Sequence, residues 1–137
     1  MEALVALVVF SFGVLGLLGL QATSIKNSGD AKYRSDASYA ANQIVAQMWV
    51  DRSNIDAYAH YATGPVCAFT GSASANANVT DWLTQISSLL PGASSTNTQI
   101  QVTTPAASTK QVKVTVCWKT PQDTAAHNFV TTAQINQ

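Results

Sequence analysis

Apolar residues are spread unevenly along this chain, and the unevenness marks out its parts. From Ala3 to Leu20 the sequence reads ALVALVVFSFGVLGLLGL, with one hydroxyl (Ser11) and no charge between Glu2 and Lys26. A helix of that length rises about 30 Å, the hydrocarbon thickness of a bilayer. Farther on, Ala22, Ile25, Gly29, Tyr33, Ala37, Ala40, Ile44 and Met48 recur three and four residues apart. That is the spacing of one helical face. Lys26, Asp30, Lys32, Arg34, Asp36, Asn42 and Gln43 fall mostly elsewhere. No proline occurs before Pro65, so nothing forces a stop until the Asp51-Arg52-Ser53-Asn54 cluster. The pattern predicts one helix from about residue 3 to residue 52, apolar all round at first and amphipathic afterwards.

The periods then change. Asn78 to Gly92 reads as a short helix over about residues 80–90, capped by Thr80 or Asn78 and stopped by Pro91-Gly92. Trp82, Ile86, Leu89 and Leu90 form its apolar stripe. Asn78-Val79-Thr80 also matches a glycosylation sequon, but three-residue motifs recur by chance and the segment is taken as a cap. Three runs alternate with period two: Gln99–Thr104, Gln111–Lys119 and Asn128–Ile135, separated by Pro105-Ala106-Ala107-Ser108 and Pro121-Gln122-Asp123-Thr124. They predict an antiparallel three-stranded meander over about residues 99–135 with one buried face, resting on Tyr33–Met48 of the long helix. The expected fold class is α+β. Its parts are an apolar half-helix over 1–25, an amphipathic half over 26–53 and a globular head over 54–137.

Three accounts compete for the apolar segment. A signal-peptide core spans about 7–15 residues behind basic residues; this run is longer, and Glu2 stands where positive charge belongs. A plain membrane anchor fits the length but leaves Glu2 unexplained, since a carboxylate at the edge of an apolar span is costly without a partner or an interface. The third account is a family. The stretch Glu2–Ala22 resembles the N-terminal segment of type IV pilins, closest to the minor pilins of the type IV pilus modification (PilV-like) class. The phrase Trp82-Leu83 followed by Leu90-Pro91-Gly92 ahead of a strand resembles the same group.

That resemblance implies a pilin fold, in which a long N-terminal helix packs on a small antiparallel sheet. It also implies a structural role: assembly into, or priming of, a type IV pilus filament, as a minor subunit or as the repeating one. Its partners would be other pilin subunits, with the bacterial inner membrane as host before assembly and an extracellular filament afterwards. In the family a peptidase removes a short leader, the new N-terminal amine is methylated, and a nearby glutamate pairs with a neighbour's amine. Glu2 matches that glutamate by position. An ion pair buried among apolar helices is strong only when both partners are present, so it would set axial register. Only Met1 precedes Glu2, fewer residues than the family has, so upstream residues are expected. Gly13, Gly16 and Gly19 permit close helix approach, and each costs about 1 kcal/mol of helix stability relative to alanine. Many family members carry a proline near this level, which implies a helix softened around Gly13–Gly19 in a filament. A type II secretion pseudopilin shares the long helix; its major form has calcium-ligating acids near the C-terminus, and here only Asp123 follows Trp118. A membrane-anchored adhesin is the rival from another class.

Composition narrows the chemistry. Seven basic and seven acidic residues give no net charge, which argues against nucleic-acid binding. Charged residues make up 10 %, against roughly 25 % in an ordinary soluble domain, so serine and threonine must keep the polar part soluble. Cys67 and Cys117 fit no zinc, thioredoxin or haem spacing. They are two buried free thiols or one disulfide, and the export implied by the resemblance makes the disulfide the expectation. Such a bridge would contribute roughly 3–4 kcal/mol and tie the irregular Tyr58–Ala77 region to the middle strand. His60 and His127 have Asp56 and Asp123 as possible partners, but no motif combines nucleophile, base and orienting acid. No phosphate loop, metal-ligand cluster or paired acidic motif occurs. No catalytic residue, metal, cofactor or small-molecule substrate is expected. Trp49, Trp82 and Trp118 read as core or edge packing. Tyr58, His60 and Tyr61 form an aromatic group that either faces a neighbour or folds back onto the head.

Overall fold

A computed structural model describes residues 2–136; Met1, on which the expectation of missing upstream residues rests, lies outside them. Helix α1 runs Glu2–Val50, a 3-10 helix follows at Arg52–Tyr58, and helix α2 spans Ala77–Leu89. A short 3-10 turn, Ser95–Asn97, leads into strands β1 (Thr98–Ala106), β2 (Thr109–Trp118) and β3 (His127–Asn136). Contacts group the chain into two units, Met1–Lys32 and Tyr33–Gln137, with the boundary inside α1.

In the first unit the described residues are helical throughout, and none from 2 to 28 is even half-buried. Ser11 Oγ donates to Leu7 O at 2.7 Å and Thr23 Oγ1 to Gly19 O at 3.2 Å. These two hydroxyls thus bond the preceding turn of their own helix. The one polar group within Ala3–Leu20 is thereby satisfied, and the apolar surface is chemically uninterrupted.

The second unit is built on the last part of α1. Ala37, Ala40, Ala41, Ile44 and Met48 are fully buried, and they share one cluster with Ile100, Val112, Val114, Val116, Trp118 and Ile135 of the sheet. The same cluster takes Val79, Trp82, Ile86 and Leu90 from α2 and its end. The three alanines leave room for large partners to approach the helix backbone. Trp82 uses that room, donating from Nε1 to Ala40 O at 2.7 Å in a buried bond. The sheet order is β1-β2-β3 with both pairs antiparallel. This is a long helix packed on a small antiparallel sheet, the α+β class read from the sequence.

Several details differ from the sequence reading. The cap of α2 is Asn76, not Asn78 or Thr80. Asn76 is extended (φ −68°, ψ 127°), and its Oδ1 accepts from Asn78 N at 2.9 Å; all three residues are chemically eligible, so composition alone does not choose between them. The Pro91-Gly92 stop is as expected, with φ +67° at Gly92, and a Cβ there would lie 2.7 Å from Lys119 O. Strand β1 continues through Pro105, where a turn was expected. A register shift between Thr103 and Ala106 accommodates the ring, as is usual for proline on an edge strand or at a bulge. The expectation of a single buried sheet face also needs correcting. Gln99, Thr115 and Cys117, which alternate with the core residues, are buried as well.

Candidate functional site

The largest uncovered chemistry in the chain is the apolar part of α1. Twelve large hydrophobic side chains between Leu4 and Leu20 are exposed, Phe10 to 70 %. Each is worth about 1.5–3 kcal/mol when removed from water, so covering the set is worth on the order of 20 kcal/mol or more. A bilayer or a set of apolar helices is the kind of surroundings that would supply such cover; water is not. Glu2 stands in the first turn and lines one shallow face with Val5, Ala6, Val9 and Phe10. Its carboxylate sits at the positive end of the helix dipole, on the edge of an otherwise uncharged surface. Gly13, Gly16 and Gly19 lie in regular helix, and a Cβ at any of them would meet nothing within 4 Å. No packing among the described residues requires them to be glycine.

Both cysteines are joined. Cys67 and Cys117 form a disulfide across a sequence separation of 50, which ties the segment after the 3-10 helix to β2 as the sequence reading proposed. It also explains the second buried sheet face. Residues near Cys67 lie over the outer side of β1 and β2, where Gln99 Nε2 donates to Tyr61 O at 3.0 Å and Gln101 Nε2 to Ala62 O at 3.4 Å. Main-chain bonds between His60 and Ile100 and between Thr63 and Thr70 complete the flap. A cysteine at a strand position that alternation makes outward was the signal for this cover.

Both histidines are engaged by neighbours within the head. His60 is 1 % exposed; its Nδ1 accepts from Ser74 N at 3.1 Å and its Nε2 faces Ser95 O at 2.9 Å. With both ring nitrogens bonded to main chain, His60 pins the flap to the turn before β1. Asp56, its neighbour in sequence, instead pairs with Lys110 Nζ at 2.9 Å. His127 Nε2 lies 3.2 Å from Asp123 Oδ2 and its ring stacks on Trp118 at 5.8 Å. The nearby hydroxyl, Thr120 Oγ1, donates to Asp123 at 2.6 Å. It therefore bonds the acid, where a nucleophile would have to bond the base.

Tyr58 and His60 fold back into the head, while Tyr61 is half-buried beside His60 in an edge contact of 4.5 Å. The Tyr58 hydroxyl donates to Asp51 Oδ2 at 3.2 Å and accepts from Asn78 Nδ2 at 2.7 Å. It links the end of α1, the 3-10 helix and the start of α2. Burial pushes this phenol above its ordinary value, against the Asn78 amide, and the Asp51 carboxylate adds to the rise. The folded state holds the proton more tightly than the unfolded chain. The contribution is therefore complete at neutral pH and lost only as alkali carries the pH through the raised value.

Beside this network, Gln43 Oε1 and Gln47 Oε1 are buried without a hydrogen-bond partner among the described residues. A buried acceptor left unmade costs about 1–3 kcal/mol. Gln43→Met keeps the stem and removes the acceptor, so it is expected to raise the thermal midpoint, by about 1 kcal/mol in stability. A melting curve that moves down would show that the amide is satisfied in solution.

Fold and surface together define an α+β domain whose N-terminal helix is long and apolar enough to cross a membrane. Comparison with protein-family models, with curated proteins and with solved structures finds no match to this chain.

Proposed function

We propose that this chain is a type IV pilin-like structural subunit, not an enzyme. Its apolar helix is first held in a bacterial inner membrane and then covered by the helices of other subunits in an extracellular filament. The observation that carries this is the uncovered, charge-free surface of Leu4–Leu20 on the same helix whose last part is the floor of a disulfide-bridged head. The exported setting of the proposal agrees with that bridge. Glycines at 13, 16 and 19 that no contact among the described residues requires suit close helix approach, or local softening, within an assembly.

Glu2 has a defined part in this reading. Its carboxylate, alone on an apolar face, pairs with the terminal amine of an adjacent subunit and fixes axial register. The expected result for Glu2→Ala is a protein that still fractionates with the membrane but enters sheared filaments at a small fraction of the normal level. Subunit counts in the same filaments decide between a minor and a repeating role. Normal incorporation of the variant removes the role from Glu2. Stable insertion without any repeating filament favours a membrane-anchored binding module, and recovery with secretion machinery favours a pseudopilin.

A further inference from the structure

The two edges of the sheet are built differently. On the β1 side, His60 exchanges two main-chain bonds of 2.9 Å with Ile100. Pro105, which has no N–H to offer, and the register shift beside it break the far end. Those are devices by which sheets blunt an edge. On the β3 side none of them is present. The strand pairs with β2 in unbroken register over all ten residues. It reads His-Asn-Phe-Val-Thr-Thr-Ala-Gln-Ile-Asn, with no lysine, arginine, acid, proline or glycine. Among the described residues, no strand and no main-chain bond reaches the outer edge of β3 between Asn128 and Ile135.

We infer that β3 is a pairing edge at which two copies of this chain join, strand against antiparallel strand, into one six-stranded sheet. A second β3 is the occupant that the chemistry selects. It is extended already, it has equal length, and it exposes the complementary row of unpaired groups. Because the strand holds no charge, two copies meet without the like-charge opposition that destabilises cross-strand pairs. Phe129, Thr131 and Ala133 are only half-buried, and the facing strand extends the cover over that side. The β1 edge, tied to His60 at Ile100 and interrupted at Pro105, offers a shorter ladder than β3, and pairing of β3 with a second β3 is self-complementary and closes at two copies. It uses the head alone and is independent of the filament reading, which rests on α1; either can fail without the other.

The experiment is self-association of the full chain in mild detergent micelles, followed by sedimentation and by hydrogen exchange at β3. The expected result is a dimer that grows with concentration, together with added protection of alternate amides between Asn128 and Ile135. Val130→Glu with Thr132→Glu places charge on the exposed side of β3, where Val130 is 43 % exposed and neither side chain belongs to the core cluster. Thr132 faces Lys113 across the β2 pair, so that an acid there is not opposed by a like charge. That variant is expected to lose both the dimer and the added protection while keeping its melting temperature. A wild-type protein whose β3 amides exchange identically at every concentration overturns the proposal. So does a dimer that persists unchanged in the double-glutamate variant.

Discussion

Trp82→Ala is expected to destabilise the second unit by about 4 kcal/mol, the usual scale for emptying a large buried aromatic site. The indole is 2 % exposed and sits in the single cluster that joins α1, α2 and the sheet. Its N–H bond to Ala40 O at 2.7 Å is lost along with its volume. Against a total stability of about 5–15 kcal/mol for a small domain, that loss leaves a head close to its unfolding threshold. Chemical denaturation of the full chain, followed by near-ultraviolet circular dichroism, measures it. Trp49→Ala is the matched control: Trp49 is 47 % exposed, and the expected change is within about 0.5 kcal/mol. Equal losses at the two positions would contradict the packing described.

The second large effect concerns the disulfide. Replacing Cys67 and Cys117 together by alanine, or reducing the bridge, is expected to cost about 4 kcal/mol for a separation of 50 in the chain-entropy treatment. The loss should be uneven. Released from Cys117, the flap over Gln99 and Thr115 keeps only its short hydrogen bonds, whereas the cluster on the other face of the sheet keeps all its contacts. Exchange is therefore expected to rise first in the segment Tyr61–Thr70, ahead of any change in α2. Unchanged melting after complete reduction would show that the flap is held by its hydrogen bonds alone.

How much of this was legible in the sequence depends on which interactions were local. The long helix, its change of character and the three strands follow from periodicity, because the same side chains that set the period also choose the buried face. Ala37, Ala40, Ile44 and Met48 were placed correctly on that basis. Ala22 and Ile25 extend the same pattern but are exposed, since periodicity says which face a residue shares and not whether anything covers it. The cap at Asn76 was missed because three closely spaced candidates, Asn76, Asn78 and Thr80, compete and only backbone conformation separates them. The 3-10 helix at Arg52–Tyr58 was missed because Ile55 and Tyr58, which anchor it, give too short a period to register. The second buried face is a tertiary effect. It needs a segment some fifty residues away, brought over the sheet by the disulfide, and no window along the chain contains both parts. The candidate site divides the same way. Glu2 and the apolar run are visible at once in the sequence, while the open edge of β3 emerges only when its neighbour is known.

The bridge has a mechanical consequence for any chain that carries load. A domain pulled apart lengthens by about 3.4 Å for each residue set free. The link between Cys67 and Cys117 withholds the residues between them from extension. An intact bridge therefore removes roughly 170 Å of slack from the stretched chain. Tension that opens the oxidised head draws out only the residues outside the loop, and the chain stiffens early and recoils over a shorter path.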